Sequence, residues 1–124
     1  EVAAGLFVLA GHNWPVFLQF KGGRGILTAL GGLALMVPVA AIFATATFLT
    51  VTALSRYISL GSVIGVMIGA LAILALALAG MSSDTYMVYG FIACAMLVWQ
   101  HRDNLQRIRD GNERRLGQPA AKVE

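Results

Sequence analysis

The stretch FKGGRG, residues 20–25, places two cations and three glycines directly ahead of a long apolar run. Glycine loops that open helices hold anions. The main-chain amides of Gly22, Gly23 and Gly25 can converge because no Cβ blocks the approach, and the N-terminus of the following helix adds partial positive charge. Lys21 and Arg24 add whole charges, so a phosphate is the natural guest. The same letters also fit a plain turn whose cations meet lipid headgroups. A second cluster, SRYISLGS at 55–62, isolates Arg56 among apolar segments with Ser59 close by, and reads either as a polar site or as interface snorkelling with serine capping. The third, HRDNLQRIRDGNE at 101–113, repeats His101, Asn104 and Arg107 at helical spacing, so the three share a face as the chain leaves an apolar helix. An amphipathic surface helix would show the same pattern. No His, Cys or carboxylate group has metal-ligand spacing, and neither a Walker pattern nor a GxSxG elbow occurs, so neither metal nor cofactor is expected.

The elements that must position these residues are membrane helices. Hydrophobic residues make up 58% of the chain and charged ones 12%, against about 25% charged in soluble domains. Between Gly25 and His101 the only charges are Arg56 and Asp84. A charge at bilayer depth costs roughly 2.5–3.5 kcal/mol even on lenient scales, which places this region in lipid. The apolar stretches 26–54, 57–80 and 86–100 lack the alternation of a barrel, so the predicted class is all-α: a polytopic integral membrane helix bundle, one domain over 1–124. Gly61, Gly65 and Gly69 lie on one helical face and suit close packing, a purpose also expected of Gly31 and Gly32. The segment 2–10 looks like the tail of a helix, and the chain is expected to be the C-terminal portion of a longer protein.

Charge sets the topology. Six of the nine Lys and Arg residues lie between Arg102 and Lys122, so residues 101–124 read as a cytoplasmic basic tail that meets lipid rather than nucleic acid. Counting back two spans puts Asp84 outside and Arg56 inside. Were 26–54 a single span, Lys21 and Arg24 would fall outside. A break near Val37 and Pro38 into two short helices would return the chain, placing Lys21, Arg24, Arg56 and the tail on one face. One tilted, kinked helix is the alternative.

Together the three segments resemble the bacterial membrane glycerol-3-phosphate acyltransferases of the PlsY type. GHNWPVFLQFKGGRGILTALG is similar to that family's GHxxPxFxxFKGGKGxAT block, SRYISLGS to its TRYxSLxS segment, and HRDNLQRIRDGNE to its HRxNIxRLxxGxE ending. The resemblance implies transfer of an acyl chain from acyl phosphate to the 1-hydroxyl of glycerol 3-phosphate, forming lysophosphatidic acid at the cytoplasmic side of the cell membrane. It also implies phosphate binding by Gly22, Gly23, Arg24 and Gly25 with Lys21 alongside, and polar substrate contacts from Arg56, Ser59, Asn104 and Arg107. Thr28 and Glu113 match supporting positions. His12 and His101 are the side chains able to exchange a proton near neutral pH without a large shift, and His101 is favoured as the catalytic one. The substrate's own phosphate is the alternative acceptor. Arg24 stands where the family has lysine, which replaces a compact ammonium by a planar fork. The family's upstream SxxGSGNxGxTN motif does not occur in these residues, so the 124 residues alone are expected to be inactive. A non-enzymatic membrane carrier or assembly subunit binding a phosphate-bearing solute is the competing reading.

Overall fold

The computed structural model describes residues 1–118; Lys122 and the rest of the predicted basic tail's end lie outside the described residues. Among the described residues six α-helices form the fold: α1 Val2–Asn13, α2 Ile26–Met36, α3 Pro38–Ser55, α4 Ile58–Leu78, α5 Thr85–Gln100 and α6 Arg102–Arg109. A single 3-10 turn, Val16–Leu18, lies between α1 and α2. Helices α3 and α4, with 18 and 21 residues, are long and apolar enough to cross a membrane.

Helix α1 extends beyond the segment 2–10 that reads as the tail of a helix. The helix runs on to Asn13 and stops at Trp14, whose φ of −131° and ψ of 64° leave the helical region. Pro15 explains this, because its ring disfavours helical geometry in the residue before it. The same effect acts at Val37, ahead of Pro38, where φ is −141° and α2 gives way to α3. The proline opens α3 at a position where its missing N–H costs nothing.

The break turns the chain back. Leu33 and Ala44 would stand roughly 16 Å apart along a straight helix. Both instead converge on Gly69 of α4, where an added Cβ would lie 3.1 Å from the Ala44 methyl and 3.2 Å from the Leu33 side chain. Thus α2 and α3 are a pair of helices rather than one rod.

Small residues bring the helices close. Along α4, a Cβ at Gly61 would lie 2.8 Å from the Phe48 carbonyl, and one at Gly65 would lie 3.0 Å from the Ala44 carbonyl. Main-chain atoms of α3 cannot move aside cheaply. Gly61→Ala and Gly65→Ala are therefore each expected to cost about 1–3 kcal/mol of stability, read as a fall in Tm in detergent. Gly32 likewise admits the Tyr89 ring, but Gly31 does not pack as expected: it faces away from the bundle with nothing within 4 Å. The core is built from Leu9, Ala29, Leu33, Ala40, Ala44, Ile73, Tyr89, Ala93 and Leu97. Within it the Tyr89 hydroxyl donates to the Ala29 carbonyl at 2.8 Å, satisfying a buried O–H and tying α5 to α2.

Candidate functional site

All three chemistry-bearing segments meet at one end of the bundle. The chain leaves α1 through Trp14 and Pro15, and returns as the glycine loop, which wraps the end of α1. The Gly23 N–H donates to the His12 carbonyl at 3.2 Å. A Cβ on Gly23 would strike the His12 imidazole, and one on Gly22 would strike the His12 carbonyl. Gly25 enters α2 in the left-handed region at φ +71°. Glycine is thus required by space at 22 and 23, and by both space and backbone angle at 25. Arg24 is exposed within this loop, Lys21 is exposed at its start, and Thr28 lies in the first turn of α2.

Helix α5 delivers His101 to the same end. The residue caps α5, is 1% exposed, and its Nδ1 stands 2.8 Å from the Leu97 carbonyl. A carbonyl only accepts, so Nδ1 carries the proton and Nε2 keeps a lone pair. Burial holds the imidazole below its ordinary pKa; the Leu97 bond opposes this, Arg24 reinforces it, and Glu113 opposes it. Arg24 and Glu113 both lie near enough to bias His101, so the glycine loop and the third segment share one electrostatic environment.

Glu113 is the hub of that segment. Its carboxylate accepts from Ser59 Oγ at 2.9 Å, Asn104 Nδ2 at 2.7 Å and Arg107 Nε at 2.8 Å. Ser59 belongs to the first turn of α4, while Asn104 and Arg107 lie on α6, so one carboxylate joins two elements. Burial alone would raise this carboxyl, but the three hydrogen bonds and the charge of Arg107 outweigh it and hold the pKa low. The spacing argument for His101, Asn104 and Arg107 is met by the geometry, with Asn104 3% exposed on the inner side of α6.

Arg56 lies at this end but is engaged elsewhere. It ends α3 at φ +63°, its Nη2 donates to the Leu116 carbonyl at 2.8 Å, and its own carbonyl accepts from Leu116 N–H at 2.7 Å. Arg115 Nε donates to the Tyr57 hydroxyl at 3.2 Å and its guanidinium sits 5.4 Å from that ring. Residues after α6 therefore fold back over the α3–α4 turn. The sequence argument missed this clasp; the glycines at 111 and 117, both at positive φ, were its signal. It also missed Asn13, which lies buried beneath the glycine loop.

From this polar end an apolar cavity of about 460 Å³ runs into the bundle. Ile26, Ile58, Ser62 and Leu97 line it near the polar cluster, and Gly69, Ala70, Ile73 and Gly90 line it farther in.

The described residues thus form an all-helical membrane bundle that brings a cationic glycine loop and a buried histidine to one end, next to residues that line an apolar cavity. The chain belongs to the glycerol-3-phosphate acyltransferase family, whose model matches residues 1–111. It is 45% identical over 121 residues to glycerol-3-phosphate acyltransferase 3 of Dehalococcoides mccartyi (strain CBDB1), covering 97% of this chain and 56% of that one. It is 41% identical over 113 residues to the glycerol-3-phosphate acyltransferase of Thermus thermophilus, covering 91% and 55%. The fold matches the crystal structure of PlsY, an integral membrane glycerol 3-phosphate acyltransferase, in its glycerol 3-phosphate form. That match has a TM-score of 0.83 at 33% identity, covering 94% of this chain and 56% of that one. A structure of the same enzyme in its lysophosphatidic acid form matches equally well. The chain spans about half the length of the relatives it matches.

Proposed function

We propose that the whole protein transfers an acyl chain from acyl phosphate to the 1-hydroxyl of glycerol 3-phosphate, releasing phosphate and lysophosphatidic acid. The observation that carries this reading is the meeting of the glycine loop, His101 and the Glu113 hub at one end of the bundle, next to Ile26, Ile58 and Leu97 of the cavity lining. Acyl phosphate is a mixed anhydride with a good leaving group, so positioning and charge neutralisation matter more than a covalent nucleophile. The loop amides of Gly22 and Gly25, with Arg24 and Lys21, hold phosphoryl oxygens, while the Gly23 N–H, given to the His12 carbonyl, sets the shape of the loop. Asn104, Arg107 and Ser59, ordered by Glu113, form the opposite wall, and Arg56 fixes the tail over it. The substrate hydroxyl attacks the acyl carbon as its proton passes to His101 Nε2; the new ester C–O bond forms and the anhydride C–O bond to phosphate breaks. His12 packs on Gly23 and shapes the loop.

The acyl chain occupies the cavity, whose volume falls within the roughly 300–1,000 Å³ usual for ligand pockets. The test is lysophosphatidic acid formation by the reconstituted full-length protein; uptake of glycerol 3-phosphate into vesicles without product would favour a carrier instead. The 124 residues alone are expected to yield no product in the same assay.

Cavity depth sets the chain length accepted. A Cβ at Gly90 lies 2.7 Å from the Ile73 side chain, so Gly90→Leu intrudes into the inner part of the cavity. This variant is expected to lower kcat/KM for long acyl phosphates by about tenfold or more while sparing short ones, since each methylene of fit is worth about 1–3 kcal/mol. A uniform loss across chain lengths would count against that assignment.

The gathering of cations at one end of the bundle, away from Asp84, supports a cytoplasmic position for the site in the bacterial inner membrane. Cysteines introduced at positions 24 and 84 are expected to label from opposite sides.

A further inference from the structure

Asn13 ends α1 with 1% of its surface exposed, and neither its Nδ2 nor its Oδ1 has a hydrogen-bond partner among the described residues. A buried carboxamide left unpaired is costly, because both its donor and its acceptor have given up water. The side chain is held against the start of α2. A Cβ at Gly25, the residue that opens the helix, would collide with Asn13 Oδ1 and lie 2.6 Å from Leu9 Cδ1. On the same side the Asn13 carbonyl lies 2.6 Å from the Cβ position of Gly22. The amide thus sits inside the wrap of the glycine loop, at the positive end of an 11-residue helix.

We propose that Asn13 is a further ligand of this site: its carboxamide donates from Nδ2 to a phosphoryl oxygen seated on the N-terminus of α2. This rests on the acyltransferase reading for the identity of the substrate, but not for the anion. Any phosphate monoester or acyl phosphate presents the same oxygens, and Asn13 meets them at the Gly25 end of α2. Carboxamide geometry suits the position better than a second cation. The group is neutral, so its burial without a ligand does not require a counter-ion.

The assignment predicts an unusual pairing of effects. In the full-length protein Asn13→Leu removes both unpaired polar atoms while keeping the branched heavy-atom skeleton, and the relief of two unpaired polar groups offsets the added methyl bulk, so Tm is expected to hold. Binding of inorganic phosphate, followed by calorimetry, is expected to weaken about tenfold, with a matching rise in KM for whichever phosphate-bearing substrate occupies the α2 end. Kinetics with acyl phosphate and glycerol 3-phosphate varied separately distinguish the two. Asn13→Asp keeps the shape but sets a carboxylate against the anion, and is expected to weaken phosphate binding further above the carboxyl's pKa, with partial recovery in acid. Should Asn13→Leu fail to fold, Asn13→Asp decides. Wild-type phosphate affinity in a folded variant would overturn the proposal, whatever its Tm. Absence of acyl transfer by the wild-type protein, with phosphate binding still dependent on Asn13, would instead overturn the acyltransferase reading alone.

Discussion

Replacing His101 by glutamine in the full-length protein is expected to lower kcat by about 10²- to 10⁴-fold, the usual share of general acid–base catalysis. KM for either substrate should change little, because the effect belongs to the transition state. The geometry supports this expectation. Leu97 fixes the tautomer by accepting from Nδ1, which leaves Nε2 as a base, and burial keeps the ring neutral. The folded pKa lies below the ordinary histidine value of about 6.5, so the base remains usable into mild acid. The acidic limb of the kcat/KM profile is accordingly expected below pH 6.5. Folding stability should decline over the same interval, since there the unfolded chain binds more protons than the folded one. A glutamine variant with near-normal kcat would transfer the proton to the substrate's own phosphate.

The second large effect is expected at Glu113. Glu113→Gln keeps the side-chain shape but removes the charge that orients Arg107, and it replaces one accepting oxygen by a donor facing either Arg107 or the Ser59 and Asn104 pair. A hydrogen bond to a charged group is worth about 1.5–3 kcal/mol, so kcat/KM should fall roughly 10- to 100-fold. Arg107 is close to half exposed, and solvent discounts its share of the ion pair. A double-mutant cycle with Arg107→Ala separates that share from the Asn104 and Ser59 bonds. The pH dependence has a definite sign. With its folded pKa depressed, Glu113 contributes stability that is complete above the unfolded value of about 4.3 and is lost as pH falls through the lower folded value. Amide exchange in residues 111–117 should accelerate on that acid side in the wild type, and at neutral pH in the variant.

Much of this architecture was legible before any coordinates. The break at Val37 and Pro38 followed from a charge count together with a helix too long for the bilayer, and the Gly61, Gly65 and Gly69 stripe follows α3 closely. Those features depend on local covalent constraint and on periodicity, which a sequence displays directly. Gly31 shows the limit. Its letter is identical to that of Gly32, but which of two adjacent glycines faces Tyr89 depends on the rotation of α2, and tertiary packing sets that. In the site, His101, Asn104 and Arg107 were legible because one short helix carries them. The Arg56 clasp was not, since its partners are main-chain groups sixty residues away and no side-chain pattern records a carbonyl. Asn13 was hidden for a related reason: an asparagine at a helix end ordinarily reads as part of a turn. Only its burial without a partner sets it apart.

The Val37–Pro38 turn has a consequence for sidedness. Run on as one rod, the 29 residues from Ile26 to Leu54 would measure about 43 Å. The Gly25 end would then stand a full bilayer thickness from Glu113, with the glycine loop facing one compartment and the histidine and its carboxylate neighbour facing the other. Neither half would meet a substrate held by its counterpart. Folding α2 back brings the Gly25 end and Glu113 to the same end of the bundle, so that in the proposed reaction donor, acceptor and lipid product would share one leaflet. A conformational choice at one residue thereby decides the compartment with which the chemistry communicates.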